Sequence, residues 1–104
     1  MDGITAVALL AMTASSATEA LQCTSNEPGL VSRTLLLHEG GLRAVVEQWD
    51  DGPVAYSCDG LGMCVIGDWA FAYDLGAKRV TEVQLLDGEV VDIKTMDLVC
   101  TDPA

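Results

Sequence analysis

Four cysteines, Cys23, Cys58, Cys64 and Cys100, are the residues of this 104-residue chain best placed to do chemistry. Their spacing points to cross-linking rather than catalysis. Dithiol catalysts hold two cysteines two residues apart at a helix start, where the helix dipole lowers a thiol pKa. Five residues separate Cys58 from Cys64, and that stretch, DGLGM over 59–63, is built for turning. A zinc site of thiolates with His38 would need the close C-x2-C pairs that are absent here. Four cysteines allow three pairings. The Gly-rich stretch can set Cys58 opposite Cys64, which leaves Cys23 and Cys100 to join the two ends of the chain.

Other catalytic constellations are thin. His38 is the only histidine, so a nucleophilic triad would have to use it with Ser32 or Ser57, and no G-x-S-x-G elbow exposes a serine. Paired carboxylates for sugar chemistry would come from Glu47, Asp50 or Asp51 beside Trp49, but Asp-Asp-Gly is foremost turn chemistry. The aspartates do not follow a calcium-loop spacing, and Gly60, Gly62 and Gly67 do not make a dinucleotide fingerprint. The expectation is therefore a noncatalytic protein with no cofactor and no metal.

The elements that carry these residues read almost entirely as strands. Residues 31–39, 42–49, 54–58, 63–66, 69–73, 80–86 and 89–100 are rich in β-branched and aromatic types. Gly40-Gly41, residues 50–53 (DDGP), Asp59-Gly60 and Asp87-Gly88 punctuate them, and Asp-Gly between two apolar runs is a strong hairpin signal. Short loops favour antiparallel neighbours. Alternation puts Trp69, Phe71 and Tyr73 on one face, expected to be the core. It also lets Leu35 and Leu37, or Leu42, Ala44 and Val46, or Val83 and Leu85, face inward while Arg43, Glu47, Glu82 and Gln84 meet water. The last strand is expected to bend near Lys94-Thr95. The predicted fold is all-β: seven or eight short antiparallel strands forming either a meander barrel or a two-sheet sandwich, held by disulfides.

A helical, signal-like N-terminus precedes this domain. Residues 4–12 (ITAVALLAM) form an apolar run of signal length, and residues 13–20 (TASSATEA) supply small residues for cleavage after Ala20 or Ala17. Asp2 stands where a basic residue usually lies, and an ordinary capped helix is the competing account. The run is about half the ~20 residues that span a bilayer, so no stable membrane insertion is expected after cleavage. Gln22 before Cys23 is not the small residue that lipid attachment wants. The expected organisation is residues 1–20 as signal peptide and 21–104 as one β domain, periplasmic or extracellular.

The chain has 16 acidic and 5 basic residues, a net charge of -11. Removing Asp2 and Glu19 with the leader leaves 14 acidic against 5 basic residues, a net -9. Such a surface repels nucleic acid and anionic lipid and attracts a basic protein partner. At the level of architecture, terminal cysteines closing a small antiparallel β domain resemble the exported bacterial lysozyme inhibitors, with no inhibitory loop motif carried over. That resemblance implies that an acidic, cross-linked β scaffold can hold a basic hydrolase.

Three functions follow in order of what they require. A protein-binding module of inhibitor-like or immunity-like type needs only an exposed loop on a rigid, monomeric scaffold. Its candidate contacts are Trp49, Asp50 and Asp51 in one loop, and Asp59 and Leu61 in the cross-linked turn. A carrier of small apolar ligands would need Trp69, Phe71 and Tyr73, or Trp49 and Tyr56, to line a cavity. A structural envelope role needs neither.

Overall fold

The computed structural model describes residues 18–101. These form nine strands: β1 (Thr18–Thr24), β2 (Leu30–His38), β3 (Gly41–Trp49), β4 (Gly52–Ser57), β5 (Met63–Ile66), β6 (Trp69–Asp74), β7 (Arg79–Leu86), β8 (Glu89–Asp97) and β9 (Val99–Thr101). They pair antiparallel in two sheets, ordered β4-β3-β2-β1-β9 and β5-β6-β7-β8. Of the two expected architectures this is the sandwich. The barrel does not close, because β4 and β5 meet only through the isolated bridge Cys58↔Cys64 and the chain leaves β8 for the other sheet at Leu98. The helical N-terminus expected over residues 1–20 lies largely outside the described residues. Its last three, Thr18, Glu19 and Ala20, belong to β1 and pair with His38, Leu37 and Leu36.

Hairpin chemistry explains the meander. Asp87 and Gly88 both take positive φ, 53° and 81°, as the expected two-residue turn between β7 and β8 demands. The β2–β3 turn uses Glu39-Gly40 with the same φ pair, so the turn sits one residue before the expected Gly40-Gly41. The bend expected near Lys94-Thr95 is absent: β8 runs unbroken to Asp97, and Leu98, buried in the core, makes the crossing instead.

Each disulfide guards a place where the chain changes sheets. Cys58–Cys64 closes the β4–β5 crossover, and Cys23–Cys100 ties β9 to β1 at a register pair. The turn inside the smaller loop depends on Gly62, which has φ +101° and lies where a Cβ would sit 2.4 Å from the Tyr73 carbonyl oxygen. The Tyr73 amide donates to the Gly62 carbonyl at 2.8 Å, so this turn is pinned to β6.

Between the sheets lie Leu35, Leu37, Leu42, Val45, Tyr56, Phe71, Tyr73, Val80, Met96 and Leu98. Tyr56 from one sheet stacks on Phe71 from the other, ring centroids 4.7 Å apart. Two expected faces are reversed. An extra residue in β3, at Arg43 between the pairs Leu36↔Ala44 and Leu37↔Leu42, switches the alternation so that Leu42, Val45 and Glu47 point inward. In β7 it is Val80 and Glu82 that are buried, with Val83 and Leu85 half-buried on the outside. That outer face carries an apolar row across the second sheet, Val65↔Ala70↔Val83↔Ile93.

Replacing Cys23 and Cys100 by serine should remove about 4 kcal/mol, because the 77-residue separation places a large loop-closure entropy in the unfolded chain. Breaking Cys58–Cys64, with a separation of 6, should cost about 2 kcal/mol by the same relation. Urea unfolding of the two variants checks this, and equal losses would contradict the loop-length account.

Candidate functional site

The chemistry of the fold gathers at the inter-sheet end away from the β4–β5 crossover, and its centre is Arg33. Its side chain is completely buried, in phase with Leu35 and Leu37 on the inner face of β2. Nη2 donates to Glu82 Oε2 on the opposite sheet at 2.9 Å, and Nη1 donates to Ser25 Oγ at 2.7 Å. Nε stands 3.5 Å from Glu47 Oε2, at ion-pair distance but without a hydrogen bond.

Glu47 is the second hub. Its Oε1 accepts from the Trp49 indole at 2.8 Å, and its Oε2 accepts from the Tyr56 hydroxyl at 2.6 Å. Tyr56 and Tyr73 share a further hydroxyl bond of 2.6 Å across the sandwich. Burial raises both phenols, with Tyr73 pushed up to about 12 and Tyr56 further still, so neither ionises in the neutral range. The third carboxylate, Glu27, comes from the β1–β2 turn. Its Oε2 accepts from Lys94 Nζ at 2.9 Å, a bond that closes the seam between β8 and the first sheet.

The carboxyl groups of Glu27 and Glu82 influence each other. Burial, and then the hydrogen bond with Glu27, push Glu82 up to about 7 against the pull of Arg33 and Lys94. Burial is the largest single influence on Glu27 and raises it, but the Lys94 bond, the neighbouring Glu82 and the charges of Lys94 and Arg33 together outweigh it and hold Glu27 below the usual carboxylate range. Of the two, Glu82 is the carboxyl that keeps its proton to higher pH.

Beside this network, between residues of the two sheets, lies a cavity of about 510 Å³. Trp49 and Val54 wall it from the first sheet, and Ile66, Trp69 and Phe71 from the second. Glu27, Glu47, Glu82 and Lys94 complete the lining. Trp69, expected in the core with Phe71 and Tyr73, shares their face but remains 38% exposed at the mouth. Its partial exposure follows from its place at the start of β6, beyond the last fully covered row.

The other expected contacts lie elsewhere. Asp50 and Asp51 sit exposed at the tip of the β3–β4 hairpin next to Trp49. Asp59 and Leu61 lie at the opposite end, because β3 runs from beside Gly60 to Trp49 and eight strand steps span about 26 Å. Thus the five candidates form two separate surfaces. In the cross-linked turn the Asp59 carboxylate accepts from the Leu61 and Met63 amides at 2.7 and 3.1 Å, which lower its pKa and fix the loop. Leu61 is held out at 89% exposure. A second hollow of about 450 Å³ lies beneath it, between Gly40, Gly60 and Leu75.

Expectation missed the charged centre itself. Glu47 and Glu82, assigned to water, are buried, and Arg33 was not singled out. One signal was present: Arg33 alternates in phase with Leu35 and Leu37, and an arginine on a core face demands carboxylates. Comparison with protein-family models, curated proteins and solved structures finds no match to this chain.

Two consequences follow for variants. Arg33→Met should destabilise the fold by about 3–5 kcal/mol, since it strands two carboxylates in the interior; the triple replacement of Arg33, Glu47 and Glu82 by apolar residues should recover much of that loss in thermal melts. Stability should also fall as pH rises from about 4.5 to about 7. Glu82 binds its proton more tightly folded than unfolded, so its contribution is complete below the unfolded pKa and is lost as pH passes the folded one. Glu82→Gln should flatten that slope in melts taken across the range.

Proposed function

We propose that this is a noncatalytic, exported binding protein whose partner is a basic protein. The observation that carries the reading is the mouth formed by Trp49 and Trp69, an aromatic opening on a net acidic domain with carboxylates beneath it. Tryptophan is a preferred interface anchor, and a scaffold rigid before docking loses little entropy. The surface stays net acidic. Arg33 is buried together with Glu47 and Glu82, and Lys94 and Arg79 are each paired with one carboxylate, Glu27 and Asp97. Encounter with a basic partner is accelerated by that field, and salt weakens it.

Leu61 on its fixed loop offers a second contact of the same kind, inhibitor-like in being rigid, protruding and apolar. The pairing of all four cysteines supports a non-reducing location, periplasmic or extracellular. Among the described residues no helix is long and apolar enough to cross a membrane. Signal cleavage after Ala17 keeps β1 whole, whereas cleavage after Ala20 would remove three of its paired residues. The carrier reading is favoured by one observation, the cavity itself, whose walls are mostly apolar.

Proteins captured from envelope extracts by the oxidised domain, then purified and titrated against it, test the reading. The expected partner is basic, its affinity falls with salt, and Trp69→Ala or Leu61→Ala weakens it at least tenfold. Capture only of acidic proteins, or binding untouched by both variants and by salt, would overturn it.

A further inference from the structure

The inter-sheet cavity ends on an imbalance of charge. Among the described residues, Glu27, Glu47 and Glu82 face only Arg33 and Lys94, one cation too few when every carboxylate is ionised. The deficit falls at one atom. Lys94 takes Oε2 of Glu27, while Oε1 is buried with no hydrogen-bond partner, on a side chain only 10% exposed. A buried carboxylate oxygen without a donor is costly and is relieved by any cation or proton that reaches it. The same cavity is lined by Trp49, Trp69 and Phe71, residue types whose ring faces attract a cation and whose hydrocarbon can cover an apolar stem.

We propose that this cavity is an organic-cation site, taking an alkylammonium or guanidinium group with its charge on Glu27 and its stem between Trp49 and Trp69. A volume of about 510 Å³ holds such a group with room for water or a second stem. A purely apolar ligand would leave Oε1 unsatisfied, and an anion would meet two carboxylates. The inference rests on the proposed function only for the source of the group, a lysine or arginine side chain of the partner; a free amine offers the same chemistry.

Occupation is coupled to a proton. Without ligand, a proton on Glu82 neutralises the excess charge. A cation on Glu27 replaces it, so binding releases the proton and is tighter above neutrality than below. The groups facing the pair are Arg33 from β2, Glu47 from β3, Tyr73 from β6 and Lys94 from β8, with Asp92 beside Lys94. Arginine stays charged throughout, and the phenol stays protonated, leaving the carboxyl pair to set the dependence between pH 6 and 8.

The test is a fluorescence titration of the oxidised domain with n-pentylamine and n-pentylguanidine, using n-pentanol and n-pentanoate as uncharged and anionic counterparts. Both cations should quench or shift tryptophan emission saturably, at least tenfold more tightly than pentanol, with pentanoate inert. Affinity should rise several-fold from pH 6 to pH 8, with proton release seen as a buffer-dependent calorimetric heat. Glu27→Gln should weaken the cations at least tenfold and leave pentanol unchanged, and Trp69→Leu should weaken all of them. Pentanol binding as tightly as pentylamine, no saturable response to either cation, or full affinity in a folded Glu27→Gln variant would overturn the proposal. Free amines that bind while lysine-bearing peptides do not would uphold the cavity and sink the protein-partner reading; basic-partner binding at Leu61 with no amine response would do the reverse.

Discussion

A fully buried guanidinium between two sheets governs this fold. Arg33 cannot lose its charge, so every element around it must deliver an acceptor: Glu82 from the opposite sheet, Glu47 from the neighbouring strand and Ser25 from the preceding turn. Replacing such a cluster by packed hydrophobic residues is often neutral or stabilising, whereas removing one member is severe. Its value therefore lies in register. A one-residue slip of β2, β3 or β7 would leave an unpaired charge inside, so the network penalises the wrong sandwich more than it favours the right one.

The same network shapes the cavity. Leu35, Val45 and Val80 fill the middle of the sandwich with hydrocarbon, but the Arg33–Glu82 row is polar and needs space for five charged groups. The Lys94–Glu27 pair bridges the seam on one side, and on the other β4 has no strand partner once the chain has passed Cys58. Cys58–Cys64 fixes the β4–β5 crossover, and Cys23–Cys100 lies in the same register row as Arg33 and Glu47, so the charged centre is cross-linked on its β1 side. Such cross-links support a domain whose small core must also carry buried charge.

Much of the architecture was legible because its signals are local. Asp87-Gly88 adopts the φ pair of a two-residue hairpin, the DGLGM stretch turns between two bonded cysteines, and short loops leave antiparallel pairing as the economical choice. The candidate site was less legible. Trp49 and Trp69 were named for their type, but their meeting across a cavity depends on how two sheets face each other. Glu47 and Glu82 looked like solvent residues because an acidic side chain in an alternating strand normally is one.

Composition, turn residues and cysteine spacing were thus enough for an acidic, all-antiparallel, disulfide-linked β domain. Each rests on covalent geometry or on φ, ψ preferences within a few residues. Whether the strands closed or stacked, and which face of β3 and β7 turned inward, were settled only in three dimensions. A single extra residue at Arg43 reverses the alternation of β3, and the charge of Arg33 compensates carboxylates 14 and 49 residues away in the chain. Interactions of that range depend on the packed arrangement, and no local pattern encodes them.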